Sequence, residues 1–137
     1  MKNRYESQDE ITVIYLDRRD GSAIPAVVSS RRLPELHAFP YKWVAAWREN
    51  TQSYYVLSRM QDKHGVWRTV YLHRFLKNPR KNEDTDHRDN DTLNNTDDNL
   101  RNVHRKTNNA NRRPYGSVSR EEWNYYEKQQ NKELAQG

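Results

Sequence analysis

The chain of 137 residues contains no cysteine. Disulfides and thiolate-held zinc are therefore excluded as stabilisers. Apolar residues are also scarce: 33% of the chain is hydrophobic, with a mean hydropathy of −1.35. That composition raises disorder as a first expectation. Four Trp, nine Tyr and two Phe argue against it. Most of these aromatics fall between Tyr5 and Phe75, so the core is to be sought there. No run approaches the ~20 apolar residues of a membrane span. The start, MKNRYESQDE, lacks the apolar segment of a secretory signal, which makes a cytoplasmic protein the expectation. No internal repeat of useful length is present. Positive charge, by contrast, is in excess, at a formal +5. A basic balance suits a polyanionic partner, nucleic acid before membrane. Its plain alternative is solubility.

Residues 1–10 are polar and are expected to fray. Ile11–Leu16 is short, apolar and β-branched, which predicts a strand. Asp20-Gly21 signals a turn into a second strand, Ala23–Val28, with Pro25 placing it at an edge. Ser29 or Ser30 can cap a short helix over Arg31–Ala38, which Pro40 stops. Tyr41–Arg48, Ser53–Met60 and Val66–Leu72 alternate and are joined by polar turns, as in a three-stranded antiparallel meander. Trp43, Trp47 and Trp67 are read as core rather than as stacking platforms. Leu72–Lys77 makes one or two helical turns before Pro79.

Beyond Pro79 the chain changes character. Residues 81–98 carry seven acids (Glu83, Asp84, Asp86, Asp89, Asp91, Asp97, Asp98) against Lys81 and Arg88. Residues 99–120 invert this, with Arg101, Arg105, Lys106, Arg112, Arg113 and Arg120 and no acid. An acidic stretch beside a basic one suits a bound cation beside a bound polyanion; a solvated loop joined to a solvated helix is the plain alternative. The acids lack the glycine and glutamate spacing of a calcium-binding EF-hand. A strand ending near His87, a loop over Arg88–Asp98 and a strand at Leu100–Val103 are expected, then a helix from about His104 to Arg112. Ser119 and Glu122 match a capping box for a last helix to about Leu134, with Trp123, Tyr126 and Gln130 on one face. Arg112–Ser117 is its linker.

If strand and helix pack together, Asp86 and Asn108 bring a carboxylate and an amide oxygen to one point. Such hard donors suit Mg²⁺ or Mn²⁺. His87, next to Asp86, points to the opposite strand face and can act beside the metal without binding it. Its reference pKa of ~6.5 fits a general base near neutrality.

Asp86-His87, Leu93-Asn94-Asn95, Asn99-Leu100-Arg101, Asn108 and Asn111 together resemble the HNH endonuclease family (ββα-metal nucleases). The likeness is to its cysteine-free branch of phage and intron homing endonucleases. Upstream, Tyr71-Leu72-His73-Arg74 and Lys42-Trp43 resemble the family's approach to the motif. The resemblance implies a metal-dependent DNA endonuclease, nicking as a monomer or cutting both strands as a homodimer, in the cytoplasm of a bacterial or phage-infected cell. It implies His87 as general base, Asp86 and Asn108 as ligands of one Mg²⁺ or Mn²⁺ per active site, and Asn99 as the residue that ties the loop to the hairpin and holds the base. His104 stands where the family often has Thr. It is either a further ligand, one helical turn from Asn108, or a helix-cap or phosphate-facing histidine. His73 is expected to pack the Leu72–Arg74 turn against the hairpin. Arg74, Lys77, Arg80, Lys81, Arg101, Arg105, Lys106, Arg112 and Arg113 form the expected phosphate track on double-stranded DNA.

The fold class expected is α+β: an antiparallel β-meander with short helices, then a ββα-metal (HNH) nuclease motif, then a C-terminal helix. The expected divisions are a flexible N-terminus (1–10), a sheet subdomain (11–78), the nuclease motif (79–113), and a linker with the last helix (114–137). A DNA-binding protein with an unused nuclease motif is the competing reading, and RNA is a competing substrate. The nuclease reading requires that Asp86 and Asn108 reach one ion, with the ring of His87 open to solvent.

Overall fold

The computed structural model describes residues 1–105 and 117–118. The expected helix over 104–112 beyond its first two residues, the expected linker Arg112–Ser117 up to residue 116, and the C-terminal helix with Trp123, Tyr126 and Gln130 lie outside the described residues; Ser117 itself is in a strand. Within them the protein is α+β, dominated by sheet, with short helices. No helix among the described residues is long and apolar enough to cross a membrane.

The first sheet grows from β2 (Ile11–Asp17), whose alternation buries Ile14 and Leu16 completely. It pairs antiparallel with β3 (Ala23–Ser29) across a turn in which Gly21 takes φ +88°. There Asp20 Oδ1 accepts the backbone N–H of Ser22 at 2.9 Å. Pro25 fits without loss of a ladder bond. The N–H of Val27, two residues on and hence on the same side of the strand, donates to Leu93 O at 2.9 Å. At Pro25 that side has no paired strand, so the missing donor is not needed. The N-terminal residues, expected to fray, instead form β1 (Tyr5–Gln8) along the free edge of β2. Asn3 fastens them: its amide donates to Tyr15 O and Trp43 O at 3.0 and 2.8 Å, and its Oδ1 accepts the N–H of Trp43.

A 3-10 turn (Ser30–Arg32) leads into α1 (Leu33–Ala38), which buries Leu36 and ends as Phe39 turns extended before Pro40. Neither serine caps it. Ser29 Oγ accepts the N–H of Asp97, and Ser30 Oγ bonds Thr12.

The meander forms as expected: β4 (Val44–Arg48), β5 (Ser53–Gln61) and β6 (Trp67–Tyr71) lie in sequence order, antiparallel. Its second turn is organised by Asp62, which accepts the N–H groups of His64 and Val66 and pairs with Arg68. α2 (Leu72–Lys77) follows β6 and stops at Asn78, whose left-handed φ of +47° suits a helix end. The two sheets and both helices close over one core. At its centre Phe39 stacks on Trp43 with ring centroids 4.4 Å apart, and Phe75 meets both at 5.2 and 5.7 Å. Burial of each such ring contributes about 1.5–3 kcal/mol. Trp43 is the core tryptophan of the expectation. Trp47 and Trp67 are not, being 44% and 51% exposed.

A separate hairpin carries the acidic stretch. β7 (Glu83–His87) pairs antiparallel with β9 (Leu100–His104), with Asp86 opposite Arg101 and His87 opposite Leu100. Leu100 reaches into the common core. The loop between them is not free-standing, because β8 (Asn94–Asn95) adds in parallel to β3 at Val27–Val28. Asp97 is clamped by Arg31 and Arg32. The stretch 79–105 is thus fastened to the first sheet rather than appended to it. Finally β10 (Ser117–Val118) pairs in parallel with β6.

Candidate active site

Strand alternation sorts the hairpin into two faces. Thr85 and His87 share one with Leu100 and Asn102, as the 2.7 Å bond from Thr85 Oγ1 to Asn102 Oδ1 shows. Asp84 and Asp86 share the other with Arg101 and Val103. The adjacent Asp86 and His87 therefore point apart, as the sequence implies.

The ring of His87 is 5% exposed. This differs from the expected solvent-facing imidazole, and the cause is its packing. It lies 5.0 Å from the ring of His73 and 6.3 Å from that of Tyr55. Its Nε2 lies 2.9 Å from Asn95 Oδ1. The Asn95 amide nitrogen is directed to Thr92 O, which leaves its oxygen for the ring. In that orientation Nε2 carries the proton and Nδ1 is the basic nitrogen. Burial pushes the pKa of His87 below the ordinary histidine value, against the opposing effects of Asn95, Asp86, Asp89 and Asp91. Burial pushes His73 much further down, with His87 and Arg74 adding to it. Both rings are held neutral near pH 7. His73, on α2, has its expected place, packed against His87 of the hairpin.

Asn99 ties the loop as expected. Its Oδ1 accepts the N–H of Asp89 at 3.1 Å, and its Nδ2 donates to Asp89 Oδ1 at 2.9 Å and Asn94 O at 2.7 Å. The amide on the imidazole, however, belongs to Asn95. Sequence reading passed over Asn95 as a site residue, although the Leu93-Asn94-Asn95 step of the motif is the signal that contained it. Asp89 and Asp91 are occupied within the loop. Asp89 accepts from the Asn94 amide, which leads the causes holding its carboxyl below the usual range, and Asp91 caps Leu93 N–H. The asparagine-rich stretch thus supplies short donors and acceptors that fix a loop with little apolar mass.

Asp86 is nearly buried, and its Oδ2 receives both Nε and Nη2 of Arg101 at 3.0 Å. Arg101, expected to face phosphate, here neutralises the candidate metal ligand. Arg74, also assigned to phosphate, is corrected: it is 2% exposed, enclosed with α2 in the interior. Arg80, Lys81 and Arg105 are exposed and Lys77 is half-buried. Lys106, Arg112 and Arg113 lie outside the described residues, as does Asn108. His104 is the last residue of β9 rather than the first turn of a helix. It pairs with Glu83, on the hairpin face opposite Asp86, and so does not begin the helix on which its assignment as a ligand was based. Among the described residues no three His, Cys, Asp or Glu side chains converge as a metal cage.

Comparisons with protein-family models, curated proteins and solved structures gave no match.

Proposed function

We propose that this protein is a metal-dependent DNA endonuclease of the HNH type, hydrolysing phosphodiester bonds with His87 as general base and one Mg²⁺ or Mn²⁺ held by Asp86 and Asn108. The observation that supports the reading is the imidazole of His87, whose Nε2 lies 2.9 Å from Asn95 Oδ1, set next to Asp86 on the opposite face of one strand. The sequence motif joins these residues to Asn99 and Asn108. In this reading a helix after β9 completes the ββα unit and brings Asn108 to Asp86. A helix from the C-terminal segment provides a surface for a second subunit.

The donor chemistry fits a hard divalent ion, since the hairpin offers carboxylate oxygen and the motif adds an amide oxygen. When bound, such an ion polarises a phosphate oxygen and steadies the leaving oxygen. His87 accepts a proton from water at Nδ1 while Asn95 holds the ring's orientation. Arg101 leaves Asp86 and meets the phosphate. Asn99 keeps the loop rigid through these changes. His87 is only 5% exposed, short of the open imidazole this reading requires, so the site must open when DNA binds.

That same burial, with Arg101 seated on Asp86, favours the second reading, a DNA-binding protein whose nuclease motif is unused. Supercoiled plasmid incubated with Mg²⁺ or Mn²⁺, with and without EDTA, separates the two. Nuclease activity predicts relaxed or linear product that EDTA abolishes. Intact plasmid with every divalent ion, despite retained DNA binding, selects the second reading. Parallel RNA substrates test the nucleic acid preferred.

A further inference from the structure

We propose that Asp84 is a second carboxylate ligand, so that the Asp84-Thr85-Asp86 step of β7 forms a two-carboxylate seat for a divalent cation. This deepens the reading of Asp86 as a metal ligand and rests on it.

Asp84 and Asp86 are two residues apart on a strand and share one face. Their backbones are separated by about 6.6 Å at ~3.3 Å per residue. Two aspartates can span that distance to one cation at metal–oxygen distances of ~2.0–2.6 Å. What marks Asp84 out is its surroundings. It is 3% exposed, yet neither carboxylate oxygen has a hydrogen bond. Arg105 Nε stands 3.5 Å from Oδ1, which places it within electrostatic reach but not in hydrogen-bonding geometry. The Arg105 side chain is itself 48% exposed, so its charge is shared with solvent.

The next three residues of β7 are each hydrogen-bonded. Thr85 bonds Asn102, Asp86 bonds Arg101 and His87 bonds Asn95. Asp62, equally buried in the meander, takes two backbone N–H groups and Arg68. A buried carboxylate without such partners is destabilising unless a cation or a proton compensates it. Placed beside Asp86, Asp84 has the donor type and the face that a hard divalent ion requires. The ion would then displace Arg101 from Asp86 and Arg105 from Asp84, leaving both arginines for phosphate.

The test is Mn²⁺ binding to the full chain without DNA, followed by electron paramagnetic resonance of the free ion, for wild type, Asp84→Asn and Asp86→Asn. The expected result is an affinity about 10-fold or more lower in each variant, with circular dichroism unchanged. Wild-type affinity in Asp84→Asn together with loss in Asp86→Asn overturns the role of Asp84 and leaves that of Asp86 standing. Wild-type affinity in both overturns the two together. If Asp84→Asn fails to fold, Arg105→Gln serves instead: removing the competing cation should tighten Mn²⁺ binding several-fold, and an unchanged affinity overturns the proposal.

Discussion

Around Trp43 the interior is aromatic and aliphatic; around His87 it is threonine, asparagine, aspartate and histidine. Both regions are buried to a similar degree. The first is what a small protein needs to fold, since apolar burial drives folding and stacked rings fill space well. The second gains little from burial, because each polar group leaves water and must be matched by a partner of correct geometry. Thr85, His87, Asn95 and Asn99 are matched one to one. Polar groups matched in this way make a region rigid and specific rather than strongly stabilising, and Asp84, with no hydrogen bond on either oxygen, is the exception. This is the quality a site for chemistry requires and a scaffold does not.

Breaking the apolar side should have the largest effect. Trp43→Ala is expected to lower stability by about 3–5 kcal/mol, as for other large-to-small core changes. Urea denaturation checks it, and a loss below 1 kcal/mol would show that the core is centred elsewhere. Asn99→Ala removes three hydrogen bonds from the loop and leaves Asp89 and Asn94 with unmet groups. A loss of about 1–3 kcal/mol is expected, with the Trp43 core untouched as read by tryptophan fluorescence. Fluorescence that shifts along with the loop would mean the two regions are not separable.

The third effect is smaller and depends on pH. His73 and His87 both have folded pKa values below the ordinary ~6.5. Below that value the unfolded chain binds protons that the folded one does not, so stability falls as pH drops from ~6.5 towards the folded values. Above ~6.5 the pair contributes no slope. A melting temperature that begins to fall near pH 6.5, well before carboxylates titrate, is the expected result. A flat melting temperature between pH 7 and 5 would contradict the burial of both rings.

The same contrast explains what could be read from the sequence. Apolar alternation writes itself into the chain, so β2, β3 and the meander were legible, as was α2, whereas the hairpin strands, with no apolar residue in β7, were legible only through the spacing of the motif. β1 was not. Tyr5–Gln8 is exposed throughout and exists because Asn3 and the edge of β2 hold it, which no local pattern records. β8 was missed for a similar reason, since two asparagines paired in parallel to a distant strand carry no periodicity. Ser29 and Ser30 offered a helix cap that Asp97 and Thr12 claimed first. Asp86, His87 and Asn99 stood out as candidate site residues by the spacing of the motif. Which asparagine meets the imidazole depends on how the loop is folded, and there Asn95 takes the place expected of Asn99. Arg74 looked like surface charge but is enclosed, because the helix that carries it is buried along most of its length.

The claim that the polar hairpin is a catalytic centre is tested most directly by comparing wild type with His87→Ala in divalent-dependent plasmid cleavage, with DNA affinity measured alongside. The account predicts a rate lower by ~10²–10⁴ with affinity nearly unchanged. Equal cleavage by the two proteins, or a parallel loss of binding, would contradict it.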